Sequence, residues 1–180
     1  KAAAWFAADL TPQLVLDAQV SYLFTNEPLH LVDIDFLTLS CLRPLAEGRV
    51  LSWFLGRQVW SDPTALILDH RTDGLSVTLG TPRLRANIRA GYTGLVLKPE
   101  ANVSMSGADA ADEDDDDIYF APRRLVAGAE IAFTEAFERQ TPLLFFLAQF
   151  DLRDDSDSRI STQYTGAKIS GPVAPLYYDA

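Results

Sequence analysis

The stretch Arg83–Thr93, R-L-R-A-N-I-R-A-G-Y-T, alternates polar and apolar residues with a period of two. Successive side chains of a β-strand point to opposite faces, so Arg85, Asn87 and Arg89 would share one face and Ile88 would lie on the other. Three arginines in one strand do not suit a dry core. The stretch therefore predicts a wall with one wet and one apolar face. Such a wall fits a water-filled lumen with lipid outside, or the half-exposed sheet of a soluble protein.

Further segments of similar length have strand character, through alternation or through short apolar runs. The predicted strands are Gln13–Phe24, His30–Leu42, Val50–Val59, Gly74–Gly80, Arg83–Val96, Arg124–Ala136, Pro142–Leu152 and Arg159–Ser170. A ninth is predicted to begin near Leu176, and Ala2–Leu10 fits either a short amphipathic helix or a strand.

This series of strands predicts an all-β, antiparallel, up-and-down transmembrane β-barrel, or part of one. Residues 1–180 would form this single domain, incomplete at the C-terminus. The alternative is a soluble β-sandwich or lipocalin-like barrel.

The predicted connections between strands are sorted by length. The long or acidic ones are Trp60–Asp73, Lys98–Pro122 and Asp154–Ser158, and the tight ones are Arg43–Arg49, Gly80–Pro82, Phe137–Thr141 and Gly171–Ala174. Counted along the strands, the two kinds fall at opposite ends of the sheet. Outer-membrane barrels have long external loops and short periplasmic turns, so this asymmetry favours a barrel over a soluble meander.

One segment favours the soluble alternative. Leu143–Phe150, L-L-F-F-L-A-Q-F, is apolar on both faces, as expected for a strand in the core of a sandwich. In a barrel, the same segment would need an inward plug or a packed lumen beside it.

Composition limits the classes of function. The chain has 180 residues and a formal net charge of −10, and without a basic stripe it is not expected to bind nucleic acid. Cys41 is the single cysteine, which excludes an internal disulfide and a cysteine metal cluster. The sequence has no run of about eighteen apolar residues, so no transmembrane helix is predicted.

Motifs for catalysis are missing from the sequence. His30 and His70 are the only histidines, and no Ser or Cys nucleophile motif accompanies them. Gly-x-Ser-x-Gly, a phosphate-binding glycine loop and His-Glu-x-x-His are absent. The chain is therefore predicted not to be an enzyme.

The predicted inward faces carry charged and amide side chains. If these faces line a pore, the lining residues are Asp17, Asp33, Asp35, Arg85, Asn87, Arg89 and Glu130. Acids of the early strands would then face the arginines across a constriction, and such opposed rows orient dipolar solutes and set ion preference. The alternative is a solvated face with cross-strand ion pairs worth under about 1 kcal/mol each.

The loop 98–122 contains the acidic run Asp112–Asp117, D-E-D-D-D-D. Carboxylates at this density are candidate Ca²⁺ ligands, with Asp112, Asp114 and Asp116 as the predicted set. The spacing is not that of an EF-hand, and like charges so close repel one another and keep a chain extended. The run therefore fits either a solvated external loop or a Ca²⁺-dependent surface-binding module.

The stretch Gly56–Gly74, G-R-Q-V-W-S-D-P-T-A-L-I-L-D-H-R-T-D-G, resembles a pattern in Gram-negative outer-membrane porin-like barrels, including the alginate-export type. There a strand that ends in Gly-Arg-Gln enters an external loop, and the next strand opens with Asp-Gly. Here Gly56–Gln58 and Asp73–Gly74 match. The chain is much shorter than such a barrel and lacks its C-terminal strand with the terminal aromatic residue.

The resemblance implies a location in the outer membrane of a diderm bacterium, contact with outer-membrane lipid, and porin-like passive passage of small polar solutes or ions. Arg57 is out of phase with Ser52, Gly56 and Gln58, so its direction depends on a bulge. The other functions that fit the sequence are small-ligand binding by a soluble sandwich or lipocalin-like barrel, and the Ca²⁺-dependent module.

Overall fold

The computed structural model describes residues 2–23, 31–101, 106–134, 136, 139–173 and 176–179. Ten strands follow one another in chain order within a single sheet, and each is antiparallel to its neighbours. They are β1 (Ala2–Thr11), β2 (Leu14–Leu23), β3 (Leu31–Pro44), β4 (Val50–Ser61), β5 (Asp69–Gly80), β6 (Leu84–Tyr92), β7 (Arg124–Phe133), β8 (Thr141–Asp151), β9 (Thr162–Val173) and β10 (Leu176–Asp179). This confirms the prediction of an all-β, antiparallel, up-and-down fold. Within the described residues β1 pairs only with β2, and β10 only with β9, so the sheet is open.

The α-helices that the structure describes are short and lie in the β6–β7 connection, as α1 (Lys98–Ala101) and α2 (Gly107–Asp114), and single 3-10 turns lie at Ala46–Gly48 and Ser156–Ser158. No helix in the described ranges is long and apolar enough to cross a membrane. The strand bounds decide between the two alternatives for Ala2–Leu10, which belongs to strand β1. They correct one expectation, because Asp69–Asp73, expected in a loop, belongs to β5.

The two ends of the sheet differ in the length of their connections. At one end the connections include 12–13, 45–49, 81–83 and 134–140. At the other end they include 62–68, 93–123 and 152–161. Connections 134–140 and 62–68 have the same length, so the predicted sorting is present in outline, with the longest connection and its acidic run at the second end.

Cross-strand pairing gathers apolar side chains on one side of the sheet, here called the apolar face. One row across the strands is Leu39, Leu55, Leu75, Ala90 and Ala127, and the next is Trp53, Val77, Ile88, Ala129 and Phe146. Large side chains on this face are open to the surroundings, with Ile88 62 % and Leu144 56 % exposed. The apolar face is thus a broad uncovered surface.

The opposite side, here called the polar face, carries the charged and amide groups together with some aromatic residues. One row is Ser76, Arg89, Gly128, Leu147 and Tyr164, and the next is Thr78, Asn87, Glu130, Phe145 and Gly166. The two-residue alternation seen in the sequence therefore separates the two faces as a strand requires.

The polar face is concave. Trp60 of β4 packs in a cluster with Val126 of β7 and Leu147 of β8, although β4 and β8 would be roughly 19 Å apart in a flat sheet of strands about 4.8 Å apart. Gly128 makes room for the indole, since a Cβ there would lie 2.7 Å from Trp60 Cζ2. The contact forms because the end of β4 turns inward over the polar face toward β7 and β8.

The packing of β8 explains its continuous apolar sequence. Phe145 and Leu147 are buried on the polar face and line the space next to Trp60. Leu144 and Phe146 are exposed on the apolar face. The segment is apolar on both sides because Trp60, near the end of β4, and the β4–β5 connection cover its inner side.

Candidate functional site

The tip hairpin, residues 57–73, is the part of the sheet that leaves the wall. Pairing of β3 with β4 ends at Leu37 and Arg57, and pairing of β5 with β6 ends at Asp73. Beyond these points the two arms of the hairpin pair with each other. Gly56 stands at the point of departure with φ 123°, a conformation that favours glycine, and a Cβ there would lie 2.0 Å from the Leu37 carbonyl oxygen.

One side of the tip hairpin is packed against the concave face. Trp60 and Leu68 form a buried cluster with Val126 and Leu147. The guanidinium carbon of Arg89 lies 5.6 Å from the centroid of the Trp60 ring, a cation–π distance. Burying a large apolar side chain stabilises by roughly 1.5–3 kcal/mol, so this side holds the hairpin firmly across the interior.

The other side of the tip hairpin is joined to β3 through ion pairs. This ionic seam consists of Arg57, Arg71, Asp33, Asp35 and Asp73. Arg71 bridges two acids, with Nη1 2.9 Å from Asp33 Oδ2 and Nη2 3.0 Å from Asp35 Oδ1. Arg57 donates to both carboxylate oxygens of Asp73 at 2.9 Å, and Arg57 Nη1 lies 3.6 Å from Asp33 Oδ1.

Helix α1 closes the ionic seam on its loop side. Arg71 Nη1 lies 3.0 Å from Glu100 Oε2, and Arg57 Nη2 donates to the Leu95 carbonyl oxygen at 2.6 Å. Asp33, Asp35 and Glu100 each offer a carboxylate oxygen within 4.8 Å of the others. Arg71 already pairs with all three acids, so their proximity is explained without a metal ion.

The direction of Arg57 is settled by the separation of β3 from β4. The register between β4 and β5 runs through Gly56 without a shift, so the β4–β5 register contains no bulge and Arg57 stays out of phase with Gln58. Its guanidinium reaches Asp33 and the Ile34 carbonyl oxygen, at 3.1 Å from the latter, because the strands have parted there.

The loop at the end of the tip hairpin is organised by one carboxylate. Asp62 is 5 % exposed; its Oδ1 accepts from the backbone N–H groups of Ile67 and Leu68 at 2.9 and 2.8 Å, and its Oδ2 from that of Thr64 at 2.8 Å. Burial opposes ionisation of Asp62, but the Thr64 hydroxyl and these backbone donors outweigh it and lower the pKa of the carboxyl. The ionised form thus holds the loop closed.

Asp62→Asn is expected to loosen this loop, at a cost of about 2 kcal/mol near pH 7, because charge-assisted hydrogen bonds are stronger than neutral ones. The folded-state pKa lies below the unfolded one, so this stabilisation is present above the unfolded pKa of about 3.8 and is lost as pH falls through the folded value. Limited proteolysis in the loop, followed from pH 7 to pH 3, measures the effect. The exposed Asp69→Asn variant is the control, and equal cleavage of the two variants at pH 7 would contradict the prediction.

A cavity of about 350 Å³ opens on the concave face beside the tip hairpin. Three cationic side chains, Arg85, Arg89 and Lys168, line it together with the carboxylate of Glu130. Arg89 Nη2 lies 3.3 Å from Glu130 Oε1, whereas Arg85 is exposed and forms no ion pair with a residue that the structure describes. Lys168 Nζ donates to the Pro63 carbonyl oxygen at 2.8 Å. The cavity wall therefore carries excess positive charge, which attracts anions.

A buried ionic cluster holds α2 against the wall. Arg124, at the start of β7, is fully buried, with Nη2 2.8 Å from Asp109 Oδ2 of α2 and 3.2 Å from Asp151 Oδ2 of β8. Arg153 contacts the same two carboxylates. Two guanidinium groups and two carboxylates neutralise one another, and buried charges persist only when paired in this way.

The structure separates the predicted pore-lining residues into groups. Arg85, Asn87, Arg89 and Glu130 lie together on the concave face, and Asp17 lies on the polar face of β2, opposite Thr38. Asp33 and Asp35 lie in the ionic seam.

The expected pairing of early acids with later arginines across a lumen is not the observed arrangement. Arg89 pairs with Glu130 on the neighbouring strand, and the acids of β3 pair with Arg57 and Arg71. Alternation determines the face on which a residue lies, but it does not determine which residue approaches from across the interior.

The predicted Ca²⁺ ligands Asp112, Asp114 and Asp116 are not gathered into a site. Among the carboxylates that the structure describes, the group of three that approach one another closely is the set in the ionic seam with Glu100. The acidic run is also not extended as expected, because Asp112 and Asp114 lie in α2.

Helix α2 forms in spite of its acidity because both of its ends are satisfied. The Ser106 side chain accepts from the Asp109 N–H at the N-terminus, and Asp109 in the first turn is favourable for the helix dipole. At the other end Lys98 Nζ donates to the Asp112 and Asp115 carbonyl oxygens at 3.3 and 2.8 Å. These contacts offset the repulsion between neighbouring carboxylates.

Several residues of the site were not predicted from the sequence: Trp60, Arg71, Arg124 and Lys168. Trp60 and Arg71 fall in a stretch that reads as a loop, although the charge complementarity between Arg71 and the acids of β3 was a usable signal. Arg124 was expected only as the start of a strand. Nothing in the sequence around Lys168 indicates its contact with Pro63.

Comparison of the chain with protein-family profiles, with curated proteins and with solved structures finds no significant match. The resemblance to porin-like barrels thus stays a prediction, and the functional argument depends on the geometry of the two faces.

Proposed function

We propose that the chain forms the wall of an outer-membrane β-barrel that allows passive passage of small polar solutes or ions. The observation that carries the proposal is a single curved sheet whose convex face is apolar and uncovered while its concave face is polar and ion-paired. Soluble monomers rarely expose a contiguous apolar surface larger than a few hundred Å². Such a sheet would keep its backbone hydrogen-bonded in lipid once its edge strands β1 and β10 are paired, as a closed barrel requires.

The concave face supplies the route in this proposal. The cavity lined by Arg85, Arg89, Lys168 and Glu130 is the polar space beside the tip hairpin, and the hairpin narrows the interior. Barrels with about this number of strands have interiors largely filled by side chains. The expected solutes are therefore small, and no catalytic step is proposed.

The sorting of connections gives the proposed orientation. Connections 62–68, 93–123 and 152–161 would face the outside of the cell, and the connections at the other end of the sheet would face the periplasm. The acidic run Asp112–Asp117 would then lie on the external side. This places the chain in the outer membrane of a diderm bacterium, in contact with outer-membrane lipid.

Extraction and gel migration of the purified chain test the proposal. We expect the chain to require detergent, and we expect unboiled samples to migrate differently in SDS from boiled samples, because a closed barrel resists SDS until heated. A chain that is soluble and monomeric in plain buffer, with no mobility shift, would instead support a soluble lipocalin-like or sandwich carrier. In that case the apolar face would be covered by protein rather than by lipid.

A further inference from the structure

The wall is continuous through backbone hydrogen bonds except where β3 and β4 part. Residues 31–36 of β3 pair with β2, and residues 58–61 of β4 pair with β5. In the described part of the chain no backbone pairing joins these two segments. The gap is filled instead by the side chains of the ionic seam. Arg57 donates a hydrogen bond to the Ile34 carbonyl oxygen, which a neighbouring strand would otherwise use as an acceptor.

The two attachments of the tip hairpin differ in their chemistry. The Trp60 side is apolar, so its stability depends little on salt. The ionic seam is made of charges whose attraction is screened by salt when water reaches them. Arg57 and Arg71 are 12 % and 16 % exposed at their side chains, so water does reach the seam.

The charge balance of the seam makes it sensitive to the loss of one cation. Four carboxylates, those of Asp33, Asp35, Asp73 and Glu100, meet two guanidinium groups. Removing Arg71 leaves the acids of β3 close to one another with reduced compensation. Like charges at this distance repel, so the tip hairpin would move away from β3.

We propose that the tip hairpin is a strap whose ionic seam opens and closes against β3, while its Trp60 side stays fixed to the wall. Opening widens the interior next to β3 and so controls passage. This proposal rests on the proposed passage function. Gly56, with its positive φ, allows the change of direction where β4 leaves β3.

A cysteine introduced in place of Ser21, which is buried beneath the ionic seam, would report on opening of the seam without any measurement of transport. Ser21 is 2 % exposed, and its hydroxyl donates to Asp35 Oδ1 at 3.0 Å. In a Cys41→Ser background, Ser21→Cys should react slowly with a water-soluble maleimide. Adding Arg71→Met should speed labelling by about ten-fold or more, because the local opening becomes easier. The matched control is Arg123→Met, which removes a cation from an exposed ion pair with Asp154.

Salt and a conservative variant keep the test independent of whether Arg71→Met folds. In the protein that retains Arg71, raising NaCl to about 1 M, where the Debye length is about 3 Å, should also speed labelling. Arg71→Lys, which keeps the charge but loses the fork that spans two acids, should give an intermediate rate. Labelling rates that are equal in all of these conditions would overturn the proposal.

Conductance in planar bilayers, measured on the same variants, connects opening with passage. The expected result is a larger or more frequently open conductance in Arg71→Met than in Arg123→Met. Faster labelling with an unchanged conductance would overturn the role of the strap in passage. If the protein with Arg71 intact does not conduct at all, the proposed passage function fails and the strap's control of passage fails with it, whereas the labelling rates still decide whether the seam opens.

Discussion

Replacing Arg124 by methionine is expected to lower the free energy of unfolding by about 3–5 kcal/mol. The guanidinium is 0 % exposed and lies between Asp109 and Asp151. Methionine fills similar space without the charge, so Arg153 alone would have to compensate two buried carboxylates. Denaturant unfolding, followed by tryptophan fluorescence, measures the loss.

Arg123→Met is the matched control for this variant. Arg123 is the preceding residue, and it pairs with Asp154 on the surface, where ion pairs contribute little. Its unfolding midpoint should stay close to that of the unchanged protein. If Arg124→Met unfolds at the same denaturant concentration as Arg123→Met, the buried cluster does not stabilise the fold.

If the chain conducts ions as proposed, replacing Arg85 or Arg89 by alanine is expected to shift ion selectivity toward cations. Both side chains line the concave cavity with Lys168 and Glu130. Roughly 1 kcal/mol of Coulomb energy, the value for two charges about 4 Å apart in water, corresponds to roughly a five-fold change in relative permeability. Arg89→Ala should shift selectivity further than Arg85→Ala, because it also leaves Glu130 without its ion-pair partner.

Reversal potentials in a salt gradient measure this selectivity. Arg49→Ala is the control, because Arg49 is exposed and pairs with Glu47 at the β3–β4 turn, away from the cavity. A reversal potential that is the same in Arg85→Ala, Arg89→Ala and Arg49→Ala would mean that neither arginine faces the route of the ions.

The wall of this molecule could be predicted from the sequence because strand alternation is a local property. Arg83–Thr93 specifies two faces by itself, and the observed strand β6 (Leu84–Tyr92) keeps them. The prediction of which connections lie at which end was also unaffected by leaving strand β1 out of the count. Strand β1 adds to the start of the series, so it leaves the later connections at the ends where they were expected.

The interior could not be predicted in the same way because it depends on contacts between distant strands. Residues 60–73 read as a loop, since neither arm of the tip hairpin shows clean alternation. One side of the hairpin packs on apolar residues of β7 and β8 and the other meets acids of β3, so both sides carry residues suited to burial or pairing. Such a pattern has no signature within the hairpin itself.

The acidic run shows a second limit of local reasoning. Repulsion within Asp112–Asp117 predicted an extended chain, but the opposing interactions come from outside the run. Lys98 supplies a cation at one end of α2, and Arg124 and Arg153 supply cations to Asp109. Charge patterning read from a single segment omits partners that folding brings to it.

The way in which the β6–β7 connection joins the sheet affects how freely its length can change in evolution. Thr93 and Arg124 are hydrogen-bonded to each other where the connection leaves and rejoins the sheet: the Thr93 N–H donates to the Arg124 carbonyl oxygen, and the Arg124 N–H to the Thr93 hydroxyl. The wall is therefore complete beneath the connection, and doubling the length of a flexible loop costs only about 0.6 kcal/mol. Insertions and deletions between these residues can accumulate during evolution while the strands stay in register, provided that carboxylates still neutralise Arg124. The length and sequence of the β6–β7 connection can thus change faster than those of the strands.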